Sequence, residues 1–303
     1  MTSPIATTAQ AIQLQQTILD NTAYPHVFER EQAMERTQQQ QPMDSYRTGI
    51  FSKDFSTEFD RLQALERFMD PTTIAIIKDL PLQPDWRCLE MGAGAGSIAY
   101  WLAEQCVAGS VVAADVDPRY LRENRTPNLD VAQVDLVEHE FPAESFDLIH
   151  SRAVLSHIPQ RDEVLRNTLN WLRPSGWLVV EDILGLPHDE TSRCPTGPLI
   201  NALIRWGTQQ GSDSGWTRRM PGALARLGLE RIRLRMTPMT IGLGGASDEL
   251  WRISLRQIEP VFIDKAVMTQ GQINNFTEAL DRGELADFSF IVVSAWGRRP
   301  MVV

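Results

Sequence analysis

Apolar residues recur along this chain of 303 residues with two different periods. Short, mostly apolar runs stand near 88–91, 111–115, 130–134, 146–150 and 177–182. Between them the spacing lengthens to three and four, as in Ile98, Trp101, Leu102 and Cys106, or Leu165, Leu169 and Leu172. Runs without polar alternation predict strands covered on both faces, and the intervening spacing predicts the helices that cover them. Strands alternating with helices imply a mostly parallel sheet and an α/β fold. Upstream, Leu62, Leu65 and Met69 predict a helix from Asp60 that ends at Asp70-Pro71, where a second helix through Ile74, Ile76 and Ile77 begins. Downstream, 229–241 and 288–296 read as a sixth and a seventh strand.

Three segments fall outside that alternation. Residues 1–58 are polar and glutamine-rich, with Gln38 to Gln41 as a small homopolymer. Ile12, Leu14, Ile18, Tyr24, Val27 and Phe28 could nevertheless coat one side of short helices, so the segment reads as an N-terminal helical extension to a domain over 59–303. Stretches at about 186–225 and 244–286 interrupt the expected strand order. Leu199, Leu203, Ile204 and Trp206 mark a helix in the first, and Leu250, Trp251, Ile253, Leu255, Ile258 and Phe262 mark helices in the second. Insertions of that length usually carry structure and function of their own, and these are placed to cap the strand ends.

Candidate chemistry concentrates where the first strand turns into its helix. Glu90-Met-Gly-Ala-Gly-Ala-Gly96 puts one carboxylate and three alternating glycines at that turn. Gly92 and Gly94 lack a Cβ, which permits positive φ and close approach of a ligand to backbone amides at a helix start. Asp115 ends the second strand nineteen residues after Gly96, near the spacing of about 20 at which such units offer a carboxylate to a ribose diol. A dinucleotide fingerprint would read G-x-G-x-x-G, whereas here the third glycine comes one position early and Ser97 takes the final place. The turn is shaped for a nucleoside, and the pyrophosphate reading is weakened.

The run Trp86-Arg-Cys-Leu-Glu-Met-Gly-Ala-Gly-Ala-Gly96 resembles the first motif of class I S-adenosylmethionine-dependent methyltransferases, and Asp115 resembles their ribose-binding acid. Further features follow in the family's order: Val134-Asp-Leu136, then Phe141 to His150, then Arg152-Ala-Val-Leu-Ser-His157-Ile-Pro, Arg173-Pro-Ser-Gly176 and Trp177 to Asp182. The tail Trp296-Gly-Arg-Arg-Pro300 is similar to that of small-molecule members, so the likeness runs from about Phe59 to Pro300.

The resemblance implies a Rossmann-like fold with a seven-stranded, mostly parallel sheet whose last strand is antiparallel. It implies S-adenosylmethionine as cofactor and S-adenosylhomocysteine as product. Carried over by position, the cofactor contacts are Glu90, Met91, Gly92, Ala93, Gly94, Asp115 and Ser151. Asp135 would meet the adenine amino group, Leu136 would add a backbone contact, and Val116 would pack on the ring. His157 stands where many members face substrate, and an imidazole titrating near neutrality could take a hydroxyl proton. Arg152, Trp206 and Trp251 are pocket candidates, with Trp216, Met220, Met236 and Met239 as further apolar wall. The implied acceptor is a small, largely apolar natural product, quinone-like or polyketide-like.

Charge and composition narrow the alternatives. A formal net charge of −10 disfavours phosphate backbones and anionic lipid surfaces, so no nucleic-acid partner is expected. Arg231, Arg233 and Arg235 read as one solvent face of a strand. Three cysteines without Cys-x-x-Cys spacing argue against a disulfide framework and a zinc site, and fit a reducing cytoplasm. His150, Glu181 and Asp182 gather near strand ends without ligand spacing and are expected to be hydrogen-bonded structural groups rather than a metal site. No apolar window reaches the about 18 residues of a membrane span. The extension is expected to cover the site or to make a homodimer contact. Two other classes stay open at this point: a protein of the same fold that binds the cofactor for a cyclisation, a rearrangement or no chemistry, and a nicotinamide-dependent oxidoreductase.

Overall fold

Strand β1 (Arg87–Met91) shows why the sheet forms: from Cys88 to Met91 every residue is buried, so both faces of the strand need covering. The computed structural model describes residues 49–122, 126–188, 194–213 and 215–301. Among these, the elements run α1 (Glu58–Lys78), β1, α2 (Ser97–Gln105), β2 (Ser110–Asp115), β3 (Leu129–Gln133), β4 (Phe146–Arg152), a short 3₁₀ turn (Leu155–His157), α3 (Arg161–Trp171), β5 (Leu172–Gly185), α4 (Thr196–Gln209), α5 (Trp216–Arg226), β6 (Glu230–Ile241), α6 (Gly245–Asp264), α7 (Gln270–Asp281) and β7 (Asp287–Arg298). The strands form one seven-stranded sheet in the order β3-β2-β1-β4-β5-β7-β6. β1 to β5 pair in parallel, and β7 runs antiparallel to both β5 and β6. The expected architecture is therefore the observed one.

Alternation along the strands divides the core in two. Cys88, Val111, Leu148 and Val179 meet Ile76 and Ile77 of α1 and Leu102 of α2 on one face. Leu89, Met91, Ile149, Leu178 and Val180 meet Val164, Leu165 and Trp171 of α3 and Met220 and Leu224 of α5 on the other. β4 ends at Arg152, opposite Glu181, while β5 continues through Asp182–Gly185 and stays paired to β7 as far as Phe290. At about 3.3 Å per residue this ribbon rises roughly 13 Å above the end of β4. Around it gathers a third cluster, with Leu199 and Ile200 from α4, Trp251, Ile258 and Phe262 from α6, Phe276 and Leu280 from α7, and Met239 and Ile241 from β6. That cluster is the cap.

Several expectations change. The helix break at Asp70-Pro71 does not occur, because α1 runs unbroken with Pro71 inside it. Tertiary contacts hold this turn although proline removes one backbone bond: Asp70 pairs with Arg152 at 2.8 Å and accepts from Ser97 Oγ at 2.9 Å. The insertion at 186–225 is only partly cap, since α5 covers the sheet rather than the strand ends. Trp216 is 1% exposed within that layer and donates its indole N–H to Asp182 at 3.1 Å, so it is core rather than pocket wall. The boundary expected between residues 58 and 59 falls inside continuous packing: Ile50 belongs to the cap cluster, and Gln257 of α6 donates to Ile50 O at 2.8 Å and to Glu58 at 2.7 Å. The described residues all lie within one compact unit. The helical extension and dimer contact expected upstream fall on residues 1–48, outside the described residues.

Candidate cofactor site

The glycine turn after β1 is built from three left-handed residues, Gly92 (φ 70°), Gly94 (φ 61°) and Gly96 (φ 98°). Two of them are also held by contact. A Cβ on Gly92 would come within 2.2 Å of Val154 Cγ2, and one on Gly96 within 2.5 Å of the Tyr100 ring. Gly94 differs: a Cβ there would meet only Leu62 Cδ2, at 3.8 Å, an ordinary contact, so the left-handed backbone rather than crowding calls for glycine. The amides of Gly92 and Ala93 donate to Ala114 O at 2.8 and 3.0 Å, tying the turn to the end of β2. The Gly94 amide donates to Asp115 Oδ2 at 2.9 Å. Turn and carboxylate thus form one unit at the carboxyl edge of the sheet, where open α/β folds bind ligands.

Asp115 is 6% exposed and its charge is matched by a residue that motif reasoning did not select. Lys53 Nζ lies 3.0 Å from Asp115 Oδ1, donates also to Asp117 O, and sits 5.4 Å from the Tyr120 ring centroid. The Asp117 amide supplies another bond to Oδ1 at 2.9 Å. One available signal was that Lys53 is among only three lysines in the chain.

The start of α2 carries protein carboxylates rather than an open anion site. Glu66 Oε1 accepts from the Ser97 amide at 3.0 Å, and Asp70 accepts from Ser97 Oγ. Burial, together with the Asp70 charge, pushes the Glu66 carboxyl above its ordinary range against the opposing pull of the Ser97 amide and Arg152. A dinucleotide would need its pyrophosphate at this helix end, where two acids repel it. The arrangement fits a nucleoside without phosphate.

Beneath the turn, a buried ionic chain crosses β1, β4 and β5. His150 is fully buried, with Nδ1 2.6 Å from Glu90 Oε2 and Nε2 3.1 Å from Glu181 Oε2. Burial alone would lower its pKa, yet the Glu90 charge and the bonds to both carboxylates raise it to about 9. Both ring nitrogens face carboxylate oxygens, an arrangement satisfied by an imidazolium that donates from each. Burial works against Glu181 as well, but the bond and charge of His150 hold it below the usual carboxylate range, and Ser294 and Thr73 donate to it. Arg152 extends the chain by bonding Asp70, Thr73 and Ser97. Glu90 is therefore anchored from below, as part of the floor of the turn.

The other sequence-selected residues divide by position. Ser151 is 1% exposed beside Met91 in the sheet register, and its hydroxyl has no hydrogen-bond partner among the described residues. An orphaned buried hydroxyl next to the turn fits a site that receives a polar ligand. Val116 is half-buried beyond β2, Leu136 is core, and Asp135 caps its own turn by accepting from the Val137 amide at 3.0 Å. His157 is half-buried at the end of the 3₁₀ turn, whose Val154 touches the glycine turn. Beside it, Ser156 donates twice to Asp182, whose pKa burial raises to about 6 against those bonds. Trp206 and Trp251 stand apart in the cap, against Phe262 at 5.6 Å and Phe290 at 5.7 Å, and both buried indole N–H groups lack partners among the described residues. Among the described residues no group of three or more His, Cys, Asp or Glu is placed to hold a metal ion, and no helix is long and apolar enough to cross a membrane.

Comparison with known proteins points the same way. Residues 89–180, from β1 into β5, match a family model described as a methyltransferase domain. Methyltransferase str2 of the fungus Strobilurus tenacellus is 37% identical over 98 residues, covering 32% of this chain and 35% of that protein. Methyltransferase str3 of the same organism is 29% identical over 196 residues, covering 60% of this chain and 68% of that one. The chain thus spans about a third of the first relative's length and two thirds of the second's. Among solved structures, phosphoethanolamine N-methyltransferase 2 of Haemonchus contortus, in complex with S-adenosyl-L-methionine, superposes with a TM-score of 0.50 at 19% identity, over 85% of this chain and 56% of that chain. The cyclopropane synthase MmaA2 of Mycobacterium tuberculosis gives 0.51 at 17% identity, over 75% and 83%. These two likenesses concern the fold.

Proposed function

We propose, from the methyltransferase-domain match over residues 89–180 and the likeness to methyltransferase str3, that this chain works as a class I S-adenosylmethionine-dependent methyltransferase, moving a methyl group to a small, largely apolar acceptor of natural-product, quinone-like or polyketide-like type. The observation that carries the reading is the joined unit of three left-handed glycines and Asp115, with the Gly94 amide bonded to the carboxylate. When bound, the cofactor supplies an already activated sulfonium methyl. The protein's share is then alignment and exclusion of water, worth about 7–11 kcal/mol in well-oriented reactions.

The residues divide that work. The Gly92–Gly94 backbone and Asp115 would hold the nucleoside, with Met91, Ala93, Val116, Asp135, Leu136 and Ser151 around it. Glu90 would act through the floor it shares with His150. His157 is the candidate base, and Arg152, fixed against α1, would shape the neighbouring wall. The cap would choose the acceptor, and the unpartnered indole N–H groups of Trp206 and Trp251 suit an apolar molecule that carries hydrogen-bond acceptors. Acidic side chains at the start of α2 disfavour a nicotinamide dinucleotide. The methyltransferases str2 and str3 of Strobilurus tenacellus support methyl transfer by analogy. The test is incubation with S-adenosylmethionine and a library of such acceptors, read by mass spectrometry. A product heavier by one methyl group together with S-adenosylhomocysteine supports the reading, and cofactor binding without either product across the library counts against it.

A further inference from the structure

The carboxylate proposed to hold the ribose is already engaged by three donors. A carboxylate offers about four lone-pair directions. Asp115 spends three of them, on the Gly94 amide, the Asp117 amide and Lys53 Nζ. One remains, and a bidentate contact with a ribose diol needs two. The two amides are backbone groups fixed by the turn and by the end of β2, so they cannot leave without unfolding the site. Lys53 is the movable partner: it stands 62 residues away in sequence, on a stem with four rotatable bonds.

The surroundings support a held but releasable ammonium. Lys53 lies in the segment 49–57 upstream of α1, and its contact with Asp115 brings its side chain to the end of β2. That segment is pinned on one side by Gln257 of α6, through Ile50 O and the Thr57 hydroxyl. On the other side Arg119 and the Tyr120 hydroxyl both donate to Lys53 O, at 3.1 Å each. The backbone of Lys53 is therefore anchored independently of its side chain, and the ammonium can withdraw while the segment stays in place.

We propose that Lys53 competes with the ribose diol for Asp115, so that cofactor binding requires the ammonium to leave the carboxylate. Lys53 thereby sets cofactor affinity and keeps Asp115 neutralised between turnovers. The inference rests on the functional reading above. In such an exchange the apparent dissociation constant scales inversely with the fraction of molecules in the receptive state.

The experiment is calorimetric titration of the full chain, wild type and Lys53→Met, with S-adenosylhomocysteine and with its 2′,3′-dideoxy analogue. Lys53→Met keeps the length of the stem, and Asp115 keeps its two amide donors, so the variant is expected to fold; circular dichroism checks that it does. Roughly tenfold tighter binding of S-adenosylhomocysteine is expected, with the dideoxy analogue unchanged because it does not call on the diol contact. Equal or weaker binding of S-adenosylhomocysteine by the variant overturns the exchange while leaving the cofactor assignment intact. A parallel gain for both ligands overturns it too, since it marks a general loosening of the site. If wild type binds neither ligand, the functional reading fails and the exchange falls with it. Should the variant not fold, the wild type decides through the Lys53 amine: acetylation by a lysine reagent that is not accelerated by S-adenosylhomocysteine overturns the proposal, and acceleration supports it.

Discussion

Replacing His150 by glutamine removes the one cation between two buried carboxylates. The native pKa of about 9 lies roughly 2.5 units above the ordinary 6.5. A group whose folded pKa is raised contributes stability that is complete below its unfolded pKa and is lost as pH rises through the folded one. His150 should therefore stabilise the fold fully below about pH 6.5 and cease to do so by about pH 9, a change of about 3 kcal/mol at 1.36 kcal/mol per unit. The full burial of the ring leaves little solvent screening to discount. Independently, removing one partner of a buried ionic cluster costs about 3–5 kcal/mol, because Glu90 and Glu181 would face each other unneutralised. Denaturant unfolding of wild type and His150→Gln at several pH values from 6 to 9.5 measures both. Wild type should lose stability across that range, and the variant should start several kcal/mol lower and run nearly flat above pH 7. Parallel curves for the two proteins would refute the ionised bridge.

The remaining predictions concern the turn and the reaction. Gly92→Ala should destabilise the protein by about 1–2 kcal/mol through its left-handed backbone and by about 1–3 kcal/mol more through collision with Val154. Adding Val154→Ala should return the second share and not the first, as read from denaturant midpoints, and a single variant as stable as wild type would contradict the packing argument. His157→Ala should slow methyl transfer about 10²- to 10⁴-fold if the imidazole is the base, with S-adenosylhomocysteine affinity unchanged; full turnover would eliminate that role.

Sequence legibility followed the range of the interactions. Strand positions, the glycine turn and Asp115 are written in local patterns, because a strand covered on both faces is mostly apolar and a left-handed turn favours glycine. What the pattern conceals is set by distant partners. Pro71 reads as a helix end until Asp70 is seen pinned by Arg152 and Ser97. Trp216 reads as pocket wall until its indole is seen bonded to Asp182 beneath the sheet. Glu90 carries the motif, yet nothing near it in sequence shows that His150 and Glu181 hold it in place. Lys53 has no motif at all, and its role emerges only from a contact across 62 residues.

Asp115 is the acid proposed to grip an adenosyl ligand. Isothermal titration of S-adenosylhomocysteine into wild type and Asp115→Ala tests this without knowledge of the acceptor. Wild type should bind one equivalent, and the variant should lose about 1.5–3 kcal/mol for the charged hydrogen bonds, or roughly 10- to 150-fold in affinity. Undetectable binding by wild type, or unchanged affinity in a folded Asp115→Ala, would contradict it.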